Sequence, residues 1–239
     1  MKGIILAGGS GSRLLPMTKV TNKHLLPVYD KPMIYYPIET FVKAGITDIL
    51  VVTGAESAGD FMNLLGDGSD FGVDFTYKLQ KGSGGIAEAL NLGRGFVKST
   101  KDAIAVMLGD NIFEDDFSEV IREYDKEHYR AKVFLKEVED PERFGVASIE
   151  DDRIVKIVEK PKKAETNLAV TGLYLYNGAI WHIIDELKPS DRNELEITDV
   201  NNWYVEKGLM TYEFVNGFWS DAGTPESLFF SSSFVKSKK

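Results

Sequence analysis

The sequence predicts an α/β protein built on a mostly parallel sheet, with an antiparallel-bearing insertion in its second half. Three observations carry this. Short apolar runs alternate with segments of helical period over residues 1–110, the pattern of right-handed βαβ units. The second half breaks that alternation with a hairpin signal. The longest apolar runs, such as residues 3–7 and 103–108, fall far short of a membrane span.

Taken in order, residues 2–7 read as a buried strand that stops at Gly8, Gly9 and Gly11. Ile34, Ile38, Phe41 and Val42 recur at helical spacing over residues 33–44, and Gly45 ends them. Residues 48–53 form the next strand, 57–65 a helix, 66–72 a loop and 73–80 an alternating strand. A helix is expected over 86–97 despite Gly93 and Gly95, then a fully apolar strand over 103–108 that runs into Gly109-Asp110-Asn111. A helix at 117–128 precedes a strand at 132–138. Residues 146–149 and 154–158 flank Glu150-Asp151-Asp152-Arg153 as a hairpin. A strand at 170–176, helices at 178–187 and 195–207, and a strand at 209–215 complete the pattern. Beyond it no element is assigned: 231–233 is low in complexity and 234–239 reads as a polar tail. No linker or repeat divides residues 1–239, which fits one domain.

Composition removes several functions. With 43% apolar and 27% charged residues, the chain is an ordinary globular one. It has no cysteine, so disulfides, thiolate metal sites and cysteine nucleophiles are excluded. There are 37 Asp and Glu against 28 Lys and Arg, a formal charge of −9, the opposite of a nucleic-acid-binding footprint. An anionic ligand must therefore be met by a few local cations, backbone N–H groups or a metal. Residues 4–7 are too brief for a signal-peptide core, and a cytoplasmic protein without membrane contact is expected.

Ligands in open α/β sheets bind at the carboxyl ends of the strands. Three segments follow such strands: residues 8–13, 80–85 and 109–111. Gly8-Gly9-Ser10-Gly11-Ser12-Arg13 can turn successive N–H groups toward an anion, or can be a plain tight turn. It is not a P-loop, because no Gly-Lys-Ser/Thr occurs. It is not a dinucleotide fingerprint, because Leu14 stands where a third glycine is needed. Arg13 and Lys23 alone would be ordinary surface cations. Asp110 alone is a metal ligand or a turn aspartate with equal warrant.

The longer run settles more. Gly8-Gly9-Ser10-Gly11-Ser12-Arg13-Leu14, followed by Lys23-His24-Leu25-Leu26-Pro27, resembles the signature of the sugar-1-phosphate nucleotidylyltransferases, in which Gly-Gly-x-Gly-Thr-Arg-Leu precedes Lys-x-Leu-Leu-Pro. Ser12 replaces the usual threonine but keeps a hydroxyl. Leu108-Gly109-Asp110-Asn111, Asp140-Pro141-Glu142-Arg143-Phe144-Gly145-Val146, Glu159-Lys160-Pro161 and Trp219-Ser220-Asp221-Ala222-Gly223 continue the likeness through nearly the whole chain.

The resemblance implies a Rossmann-like three-layer fold, with a nucleotide-binding half near 1–110 and a sugar-phosphate half with its insertion over 111–239. It is strongest with the members that join dTTP to α-D-glucose 1-phosphate, giving dTDP-glucose and pyrophosphate with Mg²⁺. It implies that Arg13 and Lys23 face the triphosphate, and that Gly8, Gly9, Gly11 and Ser12 form the loop around it. Gln80 and Gly85 would meet the base. Asp110 and Asp221 would share the metal. Lys160 and Arg192 would hold the sugar phosphate, with Asn111, Glu159, Gly145, Val170 and Gly172 around the sugar. Self-association as a dimer or tetramer is implied too. Longer members carry further C-terminal helices, so the resemblance also implies weak feedback through a distal site. His24, His128 and His182 fit no catalytic cluster and are read as bystanders. The rivals are the same transfer from UTP and a non-catalytic nucleotide-sugar-binding subunit, which would need no transition-state cations.

Overall fold

A computed structural model describes residues 1–124 and 130–239. The first half is laid down as β1 (Lys2–Ala7), β2 (Pro27–Val28), β3 (Lys31–Pro32), α1 (Tyr35–Lys43), β4 (Asp48–Gly54), α2 (Ala58–Leu65), β5 (Asp74–Gln80), α3 (Ile86–Asn91) and β6 (Ala103–Leu108). The second half adds β7 (Ile112–Phe113), α4 (Ser118–Tyr124), β8 (Ala131–Glu137), β9 (Gly145–Glu150), β10 (Arg153–Glu159) and β11 (Leu168–Asn177). It ends with α5 (Ile180–Glu186), α6 (Ile197–Glu206), β12 (Met210–Phe214), β13 (Trp219–Ser220) and α7 (Pro225–Ser237).

The main sheet runs β10-β9-β11-β6-β1-β4-β5, with β8 on β11 and β12 on β8. β1 is parallel to β4 and β6, and β4 is parallel to β5. The second half enters antiparallel through β11, which pairs with β6, β8 and β9. This is the expected fold class.

Alternation along the strands makes three layers. Ile5 and Ala7 face α1 and α2 through Ile38, Phe41, Phe61 and Leu65. Ile4 and Leu6 face α3, α5 and α6 through Leu90, Ile184 and Val200. Both faces are fully buried, so β1 reads as a continuous apolar run. The hairpin forms as predicted: β9 and β10 pair antiparallel, and Asp151 and Asp152 both turn at positive φ, as a two-residue turn requires.

Two expectations need correction, and a third runs beyond the described residues. α3 ends at Asn91, because Gly93 and Gly95 each cost a helix about 1 kcal/mol relative to alanine. The helix expected over 117–128 is α4, Ser118–Tyr124; residues 125–129 lie outside the described residues, His128 among them. The unassigned end is largely helix. Thr224 caps α7 through a reciprocal bond with Ser227, and Pro225 opens it. Among the described residues, no helix is long and apolar enough to cross a membrane.

Candidate active site

The carboxyl ends of β1, β5 and β6 open into a cleft of about 320 Å³. It lies where the strand order reverses, since β1 carries β4 on one side and β6 on the other. Loops diverge at such a point and leave a crevice.

At one end lies the glycine-rich loop. Gly11 turns at φ 67°, and a Cβ there would stand 2.8 Å from Thr18 Cγ2 and 2.9 Å from Lys23 Cβ, so both conformation and space demand glycine. The loop closes through Leu14 N–H, which donates to Gly11 O at 2.9 Å. Gly8, Gly9, Arg13 and Lys23 line the cleft, whereas Gly11 and Ser12 stand outside its wall. Arg13 is the exposed cation, 58% accessible. Lys23 is 14% accessible and donates to Asp110 Oδ2.

His24 is buried beneath this loop and lines the cleft. Asn22 Oδ1 accepts from its backbone N–H at 3.0 Å and from its Nδ1 at 2.7 Å, so Nδ1 carries the proton. Burial, aided by the Lys23 charge and opposed by Asp110, pushes its pKa down to about 3. The imidazole is neutral at physiological pH. His182 is exposed and away from the site.

Asp110 follows β6 and is buried. Burial alone would raise its pKa, but the Lys23 charge, with bonds from Lys23 and Asn111, holds it below the usual carboxylate range. Asn111 is the hub beside it. Its Nδ2 donates to Asp110 Oδ1 at 2.9 Å. Its Oδ1 accepts from Gly172 N–H at 2.8 Å and from Trp219 Nε1 at 2.7 Å. A Cβ on Gly172 would come within 2.6 Å of that amide. The β11 register breaks between Val170 and Tyr174 to make this approach. β7 and β13 pair just after Asp110-Asn111 and just before Asp221. The two carboxylates are thus fixed relative to one another by a short ladder and one amide.

Asp221 also lines the cleft. Arg143 Nη2 donates to both of its oxygens, at 3.1 and 2.8 Å, and Arg13 stands 4.0 Å away. Two hard oxygen donors on one cleft suit a divalent cation that takes one or two protein carboxylates and completes its shell with water and phosphate. Among the described residues no group of three or more acidic or histidine side chains could hold a metal.

Gly145, Glu159, Lys160, Val170 and Gly172 line the cleft as well. Glu159 accepts from Thr198 at 2.6 Å and from Arg192 at 3.1 Å. Lys160 and Ala222, each following a site carboxylate, adopt left-handed conformations at φ 41° and 36°, a strain that concentrates at functional positions. Arg192 differs from expectation. It does not line the cleft but stands behind Glu159, bound also to Glu196 at 2.8 Å, because three acids compete for its charge. Gln80 and Gly85 line the remaining wall, and Gln80 Nε2 reaches Glu88 Oε1 at 3.3 Å.

Sequence reasoning missed Arg143, Thr171, Thr198 and Asn201, all in the wall. Thr171 Oγ1 and Asn201 Nδ2 are buried with no hydrogen-bond partner. Arg143 had a signal, its place in the Asp140–Val146 run.

A parallel sheet that presents a glycine-rich loop, fixed cations and two carboxylates at its strand ends defines an α/β enzyme acting on phosphorylated substrates. The chain belongs to the nucleotidyl transferase family, which matches residues 2–238. It is 47% identical to a glucose-1-phosphate thymidylyltransferase of Neisseria meningitidis serogroup A, over 99% of this chain and 83% of that protein. A glucose-1-phosphate thymidylyltransferase of Xanthomonas campestris is 45% identical over 98% of this chain and 80% of its own length. Among solved structures, a Bacillus anthracis protein described as a glucose-1-phosphate thymidylyltransferase, with bound sucrose, matches with TM-score 0.94 and 52% identity. That match covers 99% of this chain and 95% of the other. A UDP-glucose pyrophosphorylase bound to UDP-glucose follows with TM-score 0.85 and 28% identity, covering 100% and 99%.

Proposed function

We propose that the cleft joins dTTP and α-D-glucose 1-phosphate to give dTDP-glucose and pyrophosphate. An oxygen of the sugar phosphate attacks the α-phosphorus of dTTP as the bond from that phosphorus to the pyrophosphate oxygen breaks. The sugar phosphate is already largely dianionic at neutral pH, its second pKa being about 6, so no serine, cysteine or histidine nucleophile is required. The single observation that supports this reading is the convergence of Arg13, Lys23, Asp110, Asp221, Glu159 and Lys160 on one cleft.

Gly8, Gly9, Gly11 and Ser12 carry the triphosphate loop, and Arg13 and Lys23 meet the charge that builds on the leaving pyrophosphate. Gln80 and Gly85 take the base. Lys160 meets the sugar phosphate, and Glu159, oriented by Arg192, accepts from sugar hydroxyls beside Gly145 and Val170. Asn111 has both Oδ1 acceptor sites filled and acts by placing Asp110. Asp110 and Asp221 would hold Mg²⁺, which polarises the α-phosphate and offsets its charge when bound. Neutral His24 keeps a third positive charge away from Lys23. The thymidylyl names at 45–47% identity favour dTTP over UTP, since the UDP-glucose pyrophosphorylase is more distant. Soluble nucleotide substrates fit a cytoplasmic enzyme, and self-association as a dimer or tetramer accompanies this reading. Pyrophosphate release measured over a grid of dTTP, UTP, CTP and several sugar 1-phosphates tests it. The dTTP and glucose 1-phosphate pair should give the highest kcat/KM; a UTP maximum would replace the reading.

A further inference from the structure

Arg143 is the cleft cation to which the reaction has so far given no work. It stands on the turn Pro141–Arg143 between β8 and β9. While Nη2 bonds Asp221, Nη1 donates to Asp140 at 2.8 Å. The Phe144 ring lies 5.0 Å from its guanidinium carbon. Lys23 occupies Asp110 in the same way.

Asp110 thus carries Lys23 as its monovalent partner, and Asp221 carries Arg143, with Arg13 4.0 Å away. Both partners become redundant once a divalent charge is shared between Asp110 and Asp221. Arg143, which bonds both oxygens of Asp221, would then have a repulsive divalent charge beside the carboxylate it holds, where electrostatic terms are large. Asp140 and the Phe144 ring hold it beside the cleft. A planar guanidinium freed inside an anion-binding cleft finds its best partner in phosphate oxygens, which it bonds in a two-pronged fashion.

We propose that Arg143 is an exchangeable counter-ion, seated on Asp221 in the metal-free protein and transferred to the pyrophosphate portion of the nucleotide when a divalent cation takes that carboxylate. The proposal rests on the reading of Asp221 as a metal ligand. It makes Arg143 a further catalytic residue, because the released guanidinium touches the leaving group. It also couples the two binding events through one side chain: metal binding uncovers a cation for the anion, and the anion in turn holds Arg143 off the metal site.

The signature is a change of opposite sign. Mn²⁺ binding to the full chain is measured by electron paramagnetic resonance of the free ion, and inorganic pyrophosphate binding by calorimetry at saturating Mn²⁺. Arg143→Met should tighten Mn²⁺ by roughly threefold or more, because a competitor is gone, and weaken pyrophosphate by roughly tenfold. Arg143→Lys, which keeps the charge without the fork, should shift both constants less and in the same directions. A purely structural arginine would move both constants together or neither, and either result overturns the proposal. Should the Met variant fail to fold by circular dichroism, the Lys variant decides, and two unchanged constants there are equally fatal. Asp221→Asn separates the underlying reading: wild-type Mn²⁺ affinity in that variant removes both the ligand and the proposal. Pyrophosphate release from dTTP in the same preparations reports on the transfer reaction by itself.

Discussion

Replacing Asn111 by alanine tests how the two carboxylates are held. The side chain is 1% exposed and accepts from Gly172 N–H and Trp219 Nε1 while donating to Asp110. Alanine strands two donors. Each orphaned buried donor costs about 1–3 kcal/mol, so the upper bound is about 6 kcal/mol. A water entering the polar void recovers part of this. The expected loss is about 2–4 kcal/mol, a large fraction of a typical domain's stability. Urea denaturation, followed by tryptophan emission and far-ultraviolet circular dichroism, measures it. Trp219→Phe removes one of the stranded donors in advance, so Asn111→Ala should cost about 1–2 kcal/mol less in that background. A loss under about 1 kcal/mol in the single variant, or strict additivity in the double, would refute the strut.

The remaining predictions concern charge and specificity. The unfolded imidazole of His24 binds a proton near pH 6.5 and the folded one only near 3, so between those values the unfolded chain holds the extra proton and stability falls as pH is lowered. From pH 7 to pH 5 the loss is about 2 kcal/mol; His24→Gln should remove most of that slope in urea melts. Asp110, whose pKa is depressed, loses its contribution only at lower pH, outside this window. Lys160→Ala should raise KM for glucose 1-phosphate roughly tenfold while leaving that for dTTP within about twofold, and equal rises would place Lys160 elsewhere. Gln80→Ala should narrow the ratio of kcat/KM for dTTP over CTP, and an unchanged ratio would show that the base is read by other groups.

Most of the fold was legible because its central strands are buried on both faces. β1 and β6 are near-continuous apolar runs, and the glycines after β1 punctuate them without ambiguity. α7 was not legible because three consecutive serines hide a helix whose buried face includes Ser231 itself, fully enclosed and bonded to Ser227 O at 2.7 Å. The Thr224-Pro225 start was a readable cap. In the site, Arg13, Lys23, Asp110 and Asp221 stood out through long motifs that survive as strings. Arg143, Thr171 and Asn201 acquire their meaning from partners distant in sequence, or from the lack of any, and spacing cannot show either. Asn111 was readable as a site residue but not as a strut, since that role depends on Trp219 arriving 108 positions later.

The stereochemical course at the α-phosphorus tests the central claim most directly. dTTP carrying a single sulfur of known configuration at that phosphorus is turned over with glucose 1-phosphate, and the configuration of the thio-dTDP-glucose is read by ³¹P nuclear magnetic resonance. Direct attack by the sugar phosphate requires one in-line displacement, so the product should be inverted. Retention would mean two displacements through a covalent enzyme intermediate, and would contradict the account of a cleft that works by holding charges rather than by supplying a nucleophile.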